Sequence, residues 1–149
     1  MGQPIPINTT SSPTRWLIVF DRRAATWWAD LVALGRRKHV RAFRHVFEDV
    51  WLFYDVQFRG TVIHVVRYEQ ARQLVAEWTA DADVLSIAAQ PSGHWFPRPL
   101  LCTVAVARLL GLPCALRPDA LYRECLRHGA TIVQVAHGAG HNYGFGSRA

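Results

Sequence analysis

The chain has 149 residues, half of them apolar and 11% aromatic, with a net charge of +6. That length suits one domain that buries about two-thirds of its unfolded surface, and that composition excludes a disordered or fibrous chain. The longest apolar runs fall far short of a membrane span, and three cysteines without a C-x-x-C pair form neither a disulfide framework nor a zinc signature.

Residues 1–14, with Pro4, Pro6 and Pro13, read as an extended polar arm without the apolar h-region of a signal peptide. RWLIVF, 15–20, reads as a first strand, and ATWWADLVALG, 25–35, as a short helix stopped by Gly35. The densest positive run, GRRKHVRAFR at 35–44, follows as a loop. The charge favours an anionic partner. With no nucleic-acid motif beside it, this run reads as a solvated face or a protein contact.

FRHVFE (43–48), VWLFYDVQ (50–57) and GTVIHVVR (60–67) are β-branched and aromatic with short connections, hence three consecutive strands, with Arg59-Gly60 as a tight turn. YEQARQLVAEWTA (68–80) places Leu74 and Trp78 on one helical stripe, and DVLSIAA (83–89) is another strand. QPSGHWFPRP is a loop. A helix over 100–110 stops at Gly111 with Pro113 just beyond. RPDALYRECLRHG is a second helix with Pro118 in its first turn. TIVQVA (131–136) closes the domain, and residues 137–149 form a Gly-rich tail. The order predicts one α+β domain, 15–136, with a largely antiparallel sheet.

Cys102 falls in the first turn of the helix over 100–110. The partial positive charge there favours thiolate, and the free N–H groups of that turn suit an oxyanion. Cys114 and Cys125 read as packed residues, and a reducing compartment is the simplest setting. A nucleophile needs a base and a group to orient it. In FRHVF, His45 shares a strand face with Phe43 and Phe47. In the next strand Asp55 shares one with Trp51, Phe53 and Gln57. A hairpin loop of odd length sets His45 and Asp55 on one face as opposite or diagonal neighbours. Gln90, Ser92 and His94 are candidates for a second oxyanion donor. His64 reads as structural, and His137 and His141 lack the helical context of a metal pair. The reading calls for no cofactor and no metal.

FRHVF, VWLFYDV, LLCTVAVARLLGL and ALRPDALYREC together resemble small bacteriophage proteins of the permuted papain-like (NlpC-like) cysteine peptidase class, over roughly residues 25–128. In these a GFRHC-like strand, a tryptophan-rich strand ending in Asp and a TCV…LLG helix recur, with the His strand before the Cys helix. More distant relatives are cell-wall peptidases and lecithin:retinol acyltransferase-like proteins.

The resemblance implies a permuted papain-like fold, the sheet packed against the Cys-bearing helix. It implies Cys102 as nucleophile, His45 as base and Asp55 as its orienter, acting on an amide of bacterial cell-wall peptide. It also implies protein partners, in a phage particle or a homo-oligomer, for a chain made in the host cytoplasm and incorporated in the virion. The competing expectation is a virion or tail-assembly protein that keeps the fold without catalysis. Ala42, Val46 and Leu101 depart from the family pattern, at the Gly before FRH, at the Cys after it and at the small residue before the nucleophile.

Overall fold

The computed structural model describes residues 14–23, 35–57, 60–90 and 101–134. The expected helix at 25–35, the terminal arm and the Gly-rich tail fall almost wholly outside these. The described elements are β1 (Arg15–Asp21), β2 (His39–Phe47), β3 (Val50–Gln57), β4 (Gly60–Arg67), α1 (Tyr68–Thr79), β5 (Ala82–Ala88), α2 (Cys102–Leu110), α3 (Pro118–Arg127) and β6 (Thr131–Val133). The fold is α+β, as expected: six antiparallel strands in the order β4-β3-β2-β1-β5-β6, with three helices among the described residues.

The alternation of side chains along β1 and β2 splits the core in two. Trp16, Ile18, Phe20, Val40 and Ala42 pack on one side with Val106, Ala107 and Leu110 of α2 and Leu121 and Cys125 of α3. Val19, Phe43 and Phe53 pack with Ala71 and Trp78 of α1 in the other cluster. Phe43 stacks on Phe53 with ring centroids 5.2 Å apart, and both meet Trp78 edge-on. Burying each such side chain contributes about 1.5–3 kcal/mol.

β2 begins four residues earlier than the sequence suggests. The stretch read as a basic loop enters the sheet at His39 because Val40 and Ala42 are fully buried and its charges find partners. Arg37 lies over the Tyr122 ring, 3.4 Å from its centroid, and pairs with Asp83 (2.8 Å) and Asp119 (2.7 Å). Arg41 pairs with Asp21 at 3.0 Å and lies over Trp78. Much of the positive run is therefore internal wiring rather than a free basic face. Gly35 fits here for a local reason. Its φ is +127°, and a Cβ would collide with the Asp119 carboxylate, which accepts a hydrogen bond from the Arg36 N–H.

α2 stops as expected. Gly111 is left-handed (φ 70°), its N–H reaches back into the last turn, and the Leu112 N–H donates to the Ala107 carbonyl. β6 is only three residues long, shorter than expected.

Candidate active site

Register decides which histidine meets Asp55. β2 and β3 turn tightly around Glu48 and Asp49, with Phe47 opposite Val50 and a one-residue irregularity between His45 and Phe47. His45 then faces Trp51, and Arg41 faces Asp55. His45 and Asp55 do share a face by alternation, but four residues separate Trp51 from Asp55, a span of about 13 Å along the strand. The expected His45–Asp55 neighbourhood is thus corrected. His45 is exposed near the hairpin, its Nε2 2.6 Å from the Glu48 carbonyl and its ring edge-on to Trp51.

The diagonal neighbour of Asp55 is His39, the first residue of β2. His39 Nε2 lies 2.7 Å from Asp55 Oδ1, and Gln57 Nε2 donates to Asp55 Oδ2 at 2.9 Å. Asp55 is 6% exposed, one of few buried polar residues, so its charge needs these partners. Cys102 opens α2, which lies across β2 and β3. Its side chain packs against the α2–α3 side of the core, and its sulfur helps raise the proton affinity of the His39 ring. The hydrogen-bonded order on the strands is His39, Asp55, Gln57.

The electrostatics follow from this packing. Burial disfavours the charged form of His39, but the hydrogen bond to Asp55, the Cys102 sulfur and the charge of Asp55 outweigh it and push the imidazole up to about 10. Burial pushes the Asp55 carboxyl up, yet the hydrogen bonds from His39 and Gln57 and the charges of His39 and Arg41 hold it below the usual carboxylate range. Asp21, opposite His39 on β1, is the second carboxylate here. Burial raises it, partly opposed by the charges of Arg41 and His39.

Among the described residues, α2 begins without a side-chain cap from its N-cap residue. That residue, Leu101, is extended, and the first backbone bond of the helix runs from the Ala105 N–H to the Leu101 carbonyl. The N–H groups of the first turn have no intrahelical acceptor. They suit an oxyanion formed beside Cys102. Gln90 is exposed, and Ser92 and His94 lie outside the described residues.

The other cysteines divide. Cys125 is fully buried and its thiol is pushed up to about 12, chiefly by burial, so it packs as expected. Cys114 is exposed, contrary to expectation, because Pro113 and its neighbours form the surface connection between α2 and α3. His64, mid-strand in β4, lies outside the cluster; His137 and His141 are not among the described residues.

His39 was the residue that sequence reasoning missed. Its signal was present: Val40, Ala42 and Phe43 continue the apolar strand pattern backwards, and a two-residue hairpin sets Asp55 opposite Arg41.

A shallow pocket of about 220 Å³ lies beside the cluster, lined among others by His39, Asp21, Arg41 and Trp78. Among the described residues no group of His, Cys, Asp and Glu is arranged to hold a metal ion. No described helix is long and apolar enough to cross a membrane. Compared with known proteins, the chain matches no protein-family model, no curated protein and no solved structure.

Proposed function

We propose that this protein is a cysteine hydrolase acting on an amide bond, with Cys102 as nucleophile, His39 as base and acid, and Asp55 as the group that orients the imidazole. The observation that carries this reading is His39, held at Nε2 by the buried Asp55 carboxylate, with the Cys102 sulfur that opens α2 acting on the same ring.

The chemistry follows from the roles. Cys102 Sγ, its proton taken by His39, forms a bond to the amide carbonyl carbon, and the carbonyl oxygen takes the negative charge at the first-turn N–H groups of α2. His39 gives that proton to the leaving amine as the C–N bond breaks, which leaves a thioester. Water, losing a proton to His39, attacks the thioester and releases the carboxylic acid, and His39 returns the proton to Sγ to restore the thiol. Asp55 keeps its charge throughout and fixes the tautomer.

The strands that carry His39 and Asp55 precede the Cys helix, the order of the permuted papain-like class, which supports a peptide bond of bacterial cell wall as the substrate. The test is hydrolysis of defined cell-wall peptides, read by mass spectrometry. Wild type releases two fragments and Cys102→Ala releases none; equal turnover in that variant contradicts the proposal.

A second reading, a subunit of a phage particle or homo-oligomer, draws on the sheet edges. Ile63 and Val65 on β4 are 58% and 65% exposed, and Ile132 on β6 is 66% exposed. Bare apolar edge strands invite pairing with another chain. This reading predicts particles of several subunits in light scattering, and a monomer at high concentration argues against it.

A further inference from the structure

We propose that Gln57 is a positioning residue for the Cys102–His39 pair, acting through Asp55; the inference rests on the hydrolase reading above. A carboxylate turns easily about its terminal torsion, which is broad and two-fold. Asp55 is pinned at both oxygens instead: Oδ1 faces His39 Nε2 at 2.7 Å, and Oδ2 accepts from Gln57 Nε2 at 2.9 Å.

The geometry comes from the strand itself. Gln57 is the last residue of β3, two positions after Asp55, so both side chains rise on one face. The donor is also of a particular kind. Arg41 stands directly opposite Asp55 in the register, yet it pairs with Asp21 and lies over Trp78. The second oxygen of Asp55 is thus left to a neutral amide. An amide fixes the carboxylate without adding an opposite charge of its own. Arg41 in turn occupies Asp21, the other carboxylate flanking His39, and so limits competition for the ring.

The test is the rate of Cys102 alkylation by iodoacetamide at neutral pH, read on its own peptide by mass spectrometry because Cys114 is exposed. Imidazole ¹⁵N NMR of His39 and urea unfolding are run beside it. Gln57→Leu keeps the shape and removes the donor. It is expected to slow Cys102 labelling about tenfold, the scale of lost support behind a reactive group. The His39 ring signals should shift while the unfolding midpoint stays near wild type. Gln57→His, whose neutral imidazole again offers an N–H donor, should recover much of the rate. Wild-type labelling and unchanged His39 signals in Gln57→Leu overturn the positioning role, as does a Gln57→His variant as slow as the Leu one. His39→Ala separates the two claims. If it leaves Cys102 labelling unchanged, the hydrolase reading itself fails; if it slows labelling and Gln57→Leu does not, only the role of Gln57 fails.

Discussion

Replacing Arg37 by Met probes how the strand that carries the base is anchored. The guanidinium is only 14% exposed and meets Asp83 at 2.8 Å and Asp119 at 2.7 Å, themselves 18% and 21% exposed. It also covers the Tyr122 ring. Two positions later His39 begins β2, and the Lys38 N–H between them donates to the Asp21 carbonyl. Met keeps the stem packing and removes the charge. A hydrogen bond to a charged group contributes about 1.5–3 kcal/mol, and a cation–π contact about 0.5–2. Because water reaches all three ionic side chains, the lower ends apply. The loss is then about 2–4 kcal/mol, or a fall in Tm of roughly 5–15 °C for a domain of this size. Urea unfolding should show a lower midpoint at unchanged slope. Asp119→Asn alone should cost less, and the double variant should cost less than the two losses added, since both remove one contact. Cys102 labelling should slow as well. A midpoint change worth less than about 0.5 kcal/mol, the size of an ordinary surface substitution, refutes the anchoring argument.

Other outcomes follow from the same geometry. Phe43→Ala removes the ring stacked on Phe53 and edge-on to Trp78, and should cost about 3–5 kcal/mol in urea unfolding; a loss below 1 kcal/mol contradicts the packing described. The pH dependence of stability should carry the mark of His39. Its folded value of about 10 lies above the ordinary 6.5, so the stabilisation it contributes is complete below about pH 6.5 and is lost as pH rises towards 10. The stability gap between wild type and His39→Gln should narrow across that window, and a gap that is flat or widens contradicts the assigned partners. Asp55 has the opposite sign. Held below the ordinary 3.8, it contributes above that pH and loses its contribution as pH falls through its folded value.

The elements that read well from the sequence are those with local signals. β3 and β4 are rich in β-branched and aromatic residues, Gly111 ends α2, and Pro118 starts α3. What failed to read was long-range. Arg37 and Arg41 look like a solvated run because their partners, Asp83, Asp119 and Asp21, are far away in sequence. That hid the first four residues of β2, and with them His39. His45 stands out because it sits in an apolar strand, and whether it shares a face with Asp55 depends on the hairpin, whose one-residue irregularity puts the two on one face. Distance along the strand was the missing quantity, and only the tight hairpin at Glu48–Asp49 supplies it. Cys102 and Asp55 stand out in the sequence because each is chemically out of place in its surroundings: a thiol opening a helix and a carboxylate on an apolar strand face.

The most direct test of the central claim compares Cys102 alkylation in wild type, His39→Ala and His45→Ala at neutral pH, peptide by peptide. The structure predicts fast labelling in wild type and in His45→Ala, and a marked fall in His39→Ala alone. Equal rates in all three, or a fall confined to His45→Ala, contradict the assignment of His39 as the base.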